Sequence, residues 1–258
     1  MPERCLTQYP LDMWQVERLR VTAFPSPMAQ VREPTWWSDL VGEPPETRTV
    51  HLRQGGSQEE GAFGTGRLVL RIESTRIDWL LTVAGEQKSS GEDAPTIGAF
   101  PNVLQSFQEL IERWFSLETC PSVIRLAFGA VLLQPVPSLQ DAYQQLGHYL
   151  PSMMSDPEGS SDFLYQINRR RDSTTGIAGL KINRLSKWSA ASFMTMRFAG
   201  SPERILYRPS MSTFFAQLEL DINTALDFQG EFEKGQLQSI FAELVQLGCE
   251  IAEQGDIP

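Results

Sequence analysis

Two histidines, three cysteines and scattered carboxylates are the groups from which catalysis or metal binding would have to be assembled in this chain of 258 residues. His51 and His148 have no cysteine or carboxylate at ligand spacing. His148 falls late in an expected helix, where the dipole favours a cation. Cys5, Cys120 and Cys249 are odd in number and form no Cys-x-x-Cys pair, which reads as free thiols rather than a disulfide framework or a zinc knuckle. No serine sits in a Gly-x-Ser-x-Gly elbow and no His-Glu-x-x-His occurs, so hydrolase and zincin chemistry have no anchor. The expectation is a protein with no catalytic residue, no metal ligand and no cofactor.

Two patterns come closer to chemistry. Glu219 and Asp221 alternate on an expected strand. They would project to one side and could share a divalent cation with a third ligand, as metal-dependent nucleases require. No third carboxylate identifies itself, and pairing with nearby arginines is the plainer role. Gly61, Gly64 and Gly66 resemble a phosphate loop, but they precede a strand rather than feeding a helix N-terminus, so a turn is expected.

The most unusual motif is the repeated Ile-Asn-Arg, Ile167-Asn168-Arg169 and Ile182-Asn183-Arg184, echoed loosely at Asp221-Ile222-Asn223. On adjacent antiparallel strands the isoleucines and arginines would share one face and the asparagines the other. Buried asparagines need partners, so the pair implies a polar network within the sheet. Two roles stand open: the motif locks the sheet, or Arg169, Arg170 and Arg184 offer guanidinium forks to an oxyanion or a partner's carboxylate. Asn168, Asn183, Lys187 and Trp188 complete that candidate binding set.

Charge is unevenly distributed in a chain of net −10. Phe163 to Arg208 holds nine basic against two acidic residues, and Leu218 to the end nine acidic against one basic. Either the two regions adjoin and neutralise each other, or one face attracts a polyanion and another a basic partner. The polar start of the chain and the lack of a long apolar run imply a cytoplasmic protein with no membrane partner.

The positioning elements follow from periodicity. Strands are expected at Leu11–Phe24 and Thr47–Leu52, with a hairpin from Leu68 through Leu81. Glu33 to Pro45, rich in proline and tryptophan, is expected to drape over the core without forming a helix. Gln54–Glu60 and Gly85–Pro95 read as polar loops. Val103, Leu104, Phe107, Leu110, Ile111, Trp114 and Phe115 mark a helix over Asn102–Leu117. Val123–Leu133 suits a central strand covered on both sides. Ser138 caps a second helix, with Leu139, Ala142, Tyr143, Leu146 and Leu150 on its buried face. After a loop at Ser152–Ser161, strands are expected at Phe163–Arg170, Ile177–Leu185, Ala190–Phe198 and Phe214–Asn223, then a helix over Glu233–Glu253. The whole reads as one α+β domain spanning 1–258, with a mainly antiparallel sheet covered by about three helices. Each part runs strands then helix, which leaves room for a two-lobed, pseudo-duplicated layout divided near 118–135.

Arg76-Ile77-Asp78-Trp79, Phe107 and Trp114, the strand Val123 to Gly129, Asn168-Arg169 and Leu220-Asp221-Ile222-Asn223 together resemble a sporadically distributed family of uncharacterised bacterial and archaeal proteins of similar length. The resemblance spans about residues 10 to 250. It implies an accessory component of a prokaryotic defence system, CRISPR-associated or similar, or of a mobile element. It supplies no catalytic residues. The expected function is non-catalytic: regulation or interaction, by binding a protein encoded nearby. The alternatives are a nucleic-acid or nucleotide-binding module using the basic strands, with Trp188 and Tyr165 as stacking groups, and a metal-dependent nuclease using Glu219 and Asp221.

Overall fold

The structure, a computed structural model, describes residues 10–27, 35–51, 55–84, 96–150, 159, 161–201 and 204–256, with the backbone alone across 194–211. Strand β1 (Gln15–Pro25) sets the pattern of the sheet. Leu19, Val21 and Ala23 turn to a face where each is completely buried, and Arg18, Arg20 and Thr22 turn the other way, as the two-residue period of a strand requires. The same alternation continues in β4 (Gly66–Glu73) and β5 (Arg76–Thr82), whose Leu68, Leu70, Ile77 and Trp79 join the buried face.

The remaining strands are β2 (Thr47–His51), β3 (Gly56–Phe63), β6 (Gly98–Ala99), β7 (Val123–Val136), β8 (Leu164–Asn168), β9 (Arg171–Asp172), β10 (Lys181–Ser201) and β11 (Arg204–Thr224). They form one sheet in the order β2-β3-β4-β5-β1-β7-β11-β10-β8, with β6 added to β1 and β9 to β10. Every pairing is antiparallel. An α+β protein with a mainly antiparallel sheet is therefore what the chain forms. Residues 118–135, the expected dividing point, contain most of β7, whose two edges pair with β1 and β11 at mid-sheet.

Four α-helices occur among the described residues, against about three expected: α1 (Trp36–Val41), α2 (Phe100–Ser116), α3 (Leu139–Tyr149) and α4 (Lys234–Gln254). Their apolar side chains share one core with the buried face of the strands. Each large apolar side chain fully buried there contributes roughly 1.5–3 kcal/mol. Trp114 of α2 is the hub of the N-terminal half, meeting Trp36 at 5.5 Å and Trp79 at 6.0 Å in edge-to-face contacts, the geometry aromatic quadrupoles favour. Ser138 caps α3 as expected, its Oγ accepting from the Asp141 N–H at 3.1 Å. No described helix is long and apolar enough to cross a membrane.

Several expectations need correction. The Trp36-Trp37 segment does form a helix, because no proline occurs between Thr35 and Glu43 and Gly42 ends it at φ +83°. Both tryptophans are buried, as expected. Residues 56–60 are strand, not loop; their polar sequence hides it, and pairing to β2 and β4 supplies the order. The strands expected at Ile177–Leu185 and Ala190–Phe198 are one element, β10, since no glycine or proline interrupts Lys181 to Ala199. Beyond the Val136–Phe214 and Leu164–Ser189 pairs, β10 and β11 continue as a two-stranded ribbon. Leu139, expected on a buried face, is 38% exposed. β7 is buried on both faces from Leu126 to Gln134, as expected: Leu126, Phe128, Ala130 and Leu132 join the core shared with the helices, and Ala127, Gly129, Val131 and Leu133 form its other side. The Gly85–Pro95 loop and all but a few residues of the Ser152–Ser161 loop lie outside the described residues.

Candidate functional site

Cross-strand register assembles three rows of side chains on the helix-free face. One runs Arg71–Asp78–Thr22–Ala127–Asn223–Asn183, the next Val69–Leu80–Arg20–Gly129–Asp221–Leu185, and the third Arg67–Thr82–Arg18–Val131–Glu219–Lys187. Ala127 and Gly129 keep the central strand low. The longer side chains of its neighbours rise around a trough of about 480 Å³. At its floor, a Cβ added to Gly129 would lie 3.5 Å from both Nε and Nη2 of Arg20. The glycine thus lets that guanidinium lie across β7 toward Asp221, with Nη2 3.9 Å from Oδ2.

The carboxylates of the trough are engaged. Asp78, 6% exposed, accepts Thr22 Oγ1 at 2.5 Å and Arg76 Nη2 at 2.9 Å. Glu219 accepts Lys187 Nζ at 2.7 Å and Gln217 Nε2 at 3.1 Å. Asp221 accepts Asn223 Nδ2 at 2.9 Å. Two cations are less committed: Arg71 donates to the neutral Gln58 at 3.0 Å, and Arg18, exposed, makes no hydrogen bond or salt bridge among the described residues. The lining contains no serine, cysteine or histidine. It combines charged groups of both signs with the apolar side chains Val69, Leu80 and Val131.

The Ile-Asn repeats do converge. Asn168 Oδ1 accepts the Arg184 N–H at 2.9 Å, and its Nδ2 donates to Asn183 Oδ1 at 3.3 Å. Asn183 Nδ2 donates to Asn223 Oδ1 at 3.0 Å, where Arg125 Nη2 also donates at 3.0 Å. A ladder of amides crosses β8, β10 and β11 beside the trough, and the loose third echo supplies its deepest member. Ile182 and Arg184 turn to the helix face, as the alternation requires.

The basic residues expected to bind have partners from their own chain. Asp256 takes Nε of Arg169 at 2.5 Å and Nη2 at 2.7 Å, together with the Tyr165 hydroxyl at 2.7 Å. The Arg169 fork, with help from Tyr165, holds the Asp256 carboxyl below its ordinary range. Arg170 pairs with Asp227, Arg171 with Glu250 at 3.8 Å and Lys187 with Glu219. Arg184 is 4% exposed, its Nε lacks a hydrogen-bond partner, and burial pushes its pKa down, with Arg171 adding to the effect. Trp188 is completely buried, stacked on Tyr149 at 5.3 Å. The set therefore offers no open guanidinium patch and no exposed ring: carboxylates of the acidic C-terminal region pair with Arg169, Arg170, Arg171 and Lys187. On the helix-free face the exposed guanidiniums without a salt bridge among the described residues are Arg18 on β1 and Arg71 on β4.

Arg18, Arg20 and Arg71 escaped sequence reading because some fifty residues separate the two strands that carry them and only the register through β5 unites them. The alternation of Arg18 and Arg20 against buried Leu19 was the available signal. Glu219 and Asp221 do share a face, but Lys187, Gln217, Asn223 and Arg20 engage them. Among the described residues no group of three or more His, Cys, Asp or Glu is placed to hold a metal ion. His51 and His148 are exposed and outside the trough. Burial pushes the Cys120 thiol up to about 12, against a smaller pull from Lys234; it pushes Cys249 to about 12 as well, with Glu253 and Glu250 adding to it. Cys5 lies outside the described residues.

Fold and site together define an α+β protein whose antiparallel sheet bears helices on one face and a charged trough on the other. Compared with family models, with curated proteins and with solved structures, the chain matches none.

Proposed function

We propose that the protein is a non-catalytic interaction component that receives a partner protein on the helix-free face of its sheet. The observation that carries this reading is the trough over Gly129, lined by side chains of both signs and by Val69, Leu80 and Val131, with no serine, cysteine or histidine in its lining. Mixed charge around an apolar centre suits specific protein recognition, where charge sets register and on-rate. The family resemblance adds the setting, an accessory component of a prokaryotic defence or mobile-element system, with the partner encoded nearby. A nucleic-acid module built on Trp188 and Tyr165 loses the first ring to burial and keeps the second only half-exposed, its hydroxyl held by Asp256, and a nuclease built on Glu219 and Asp221 would need carboxylates that lysine and amides already engage.

The test is a pull-down with the products of neighbouring genes at physiological salt, using the wild type and Gly129→Leu, with folding checked by thermal melting. An alanine Cβ at 129 fits at ordinary contact distance, whereas a leucine side chain must occupy the space of Arg20. Wild type is expected to retain a partner that Gly129→Leu loses. Retention of no partner, or equal retention by the folded variant, rejects the reading.

A further inference from the structure

Resting on that reading, we infer that the partner segment held in the trough is acidic: an extended stretch with carboxylates at alternate positions, laid along β1 over Arg18 and Arg20 and anchored at one side by Arg71. The chain carries a net charge of −10, yet the trough lining holds five cationic side chains against three anionic ones. The anions are engaged within the protein. Among the described residues Arg18 and Arg71 make no hydrogen bond or salt bridge to a carboxylate, feeling Glu17 and Glu60 only through space; Arg71 donates to a neutral amide, and Arg20 reaches Asp221 no closer than 3.9 Å. The unfilled capacity is therefore guanidinium, a group whose planar fork matches carboxylate geometry.

Spacing gives the shape of the ligand. Arg18 and Arg20 alternate on one face of β1, so their Cα atoms stand about 6.8 Å apart, the distance between side chains i and i+2 of an extended chain. Arg71 stands one strand further, about 9.6 Å from β1 across β5, in the row of Asp78 and Thr22. Leu80 on β5 and Val69 on β4 lie on the side of β1 toward Arg71, and Val131 on β7 flanks Arg18 on the other side, so the methylenes of glutamate side chains would rest on apolar groups at either edge of β1. A nucleic acid fits less well. Its phosphates would bring charge in every nucleotide against Glu219 and Asp221 on the far wall, and no aromatic ring lines the trough for base stacking.

The experiment is fluorescence polarisation with three labelled probes: a short peptide with glutamate at alternate positions, its glutamine counterpart and a single-stranded oligothymidylate. The full chain is titrated as wild type, Arg18→Glu, Arg71→Glu and Gly129→Leu. Both arginines are exposed and outside the core, so their variants are expected to fold. Wild type should bind the glutamate peptide at least about tenfold more tightly than the glutamine peptide, and each charge reversal should weaken it by about tenfold or more. Absence of glutamate-peptide binding at about 1 mM overturns the inference, as does equal binding of the two peptides. Indifference to Arg18→Glu overturns it too, and preference for the oligonucleotide replaces the acidic peptide with nucleic acid. Gly129→Leu separates the two levels. If it abolishes partner capture while charge reversal does nothing, the trough stands and the acidic ligand falls. If it leaves peptide and partner binding intact, the trough itself falls.

Discussion

Asp256 accepts both arms of the Arg169 guanidinium, and so fastens the end of α4 to the end of the edge strand β8. The carboxylate side chain is only 2% exposed and the arginine 32%. Removing the charge with Asp256→Asn is expected to cost about 1.5–3 kcal/mol at pH 7, the range for hydrogen bonds to charged groups. Because the folded pKa lies below the unfolded one, this stabilisation is full above the unfolded value of about 4 and disappears as pH falls through the folded value. Urea denaturation across a pH series should show wild type and variant converging in acid. A constant gap down to pH 2 would remove the ion pair as its cause.

How much of this was legible beforehand depended on whether a signal was local. The α2 helix announces itself through Phe107, Leu110, Ile111 and Trp114, and the alternation of Leu218, Leu220 and Ile222 announces the end of β11, because each period lies within one element. The amide ladder was half legible: the repeats identify Asn168 and Asn183, but the place of Asn223 opposite Asn183 is a fact of register. The trough was legible only along one wall, where the sequence singles out Lys187, Glu219 and Asp221. Its floor depends on Gly129 facing away from the helices, and its cations come from strands joined only through β5. β3 was missed because its strand order comes from hydrogen bonds to β2 and β4, which polar residues accept as readily as apolar ones.

The amide ladder is graded in depth, and its energetics should follow. Asn223 is 7% exposed and serves Arg125, Asn183 and Asp221. Asn223→Ala leaves several groups without partners and is expected to cost about 1–3 kcal/mol. Asn183→Ala removes two links, to Asn168 and to Asn223, but Asn168 is exposed and Arg125 still satisfies Asn223 Oδ1, so roughly 0.5–1.5 kcal/mol is expected. Equilibrium unfolding of both variants checks the order; a costlier Asn183→Ala would mean the ladder is not the cooperative unit.

Glu59 on β3 is 7% exposed; its Oε2 has no hydrogen-bond partner, and Arg48 Nε stands 3.5 Å from its Oε1. Burial raises its pKa against the smaller opposing pull of Arg48. A raised carboxylate pKa means that ionisation opposes folding, so the penalty grows as pH rises from the unfolded value of about 4.3 through the folded one. Glu59→Gln should therefore raise Tm at pH 7 by about 2–4 °C, equivalent to roughly 1 kcal/mol in a chain of this size. The gain should vanish near pH 4. A lower Tm at neutral pH would show that the Arg48 contact outweighs desolvation.

Cys120 and Cys249 should be chemically quiet. With thiol pKa values near 12, about 0.03% of each is thiolate at pH 8.5, whereas alkylation requires the thiolate. Peptide mapping after brief iodoacetamide treatment at that pH is expected to find both unmodified in the native protein and both modified in denaturant. Native labelling of either one at the rate of a free thiol would contradict the burial that holds its proton.

Gly61 illustrates how a glycine can signal packing rather than ligand binding. The trio Gly61, Gly64 and Gly66 imitates a phosphate loop, but Gly64 sits at φ +57° in the β3–β4 turn, and Gly61 lies within β3 beneath Trp37. A Cβ at position 61 would stand 2.8 Å from Trp37 Cζ2, closer than van der Waals contact permits. Trp37 is 2% exposed on the short helix α1, so the ring gives way only by lifting that helix. Gly61→Ala is expected to destabilise by about 1–3 kcal/mol, the usual cost of overpacking. In a Trp37→Phe background the smaller ring leaves room for the methyl, so the same substitution should cost much less, a coupling of about 1 kcal/mol or more between touching residues. Thermal unfolding of the four-member cycle measures that coupling. Strict additivity would mean that the glycine serves the β3 backbone and not the tryptophan above it.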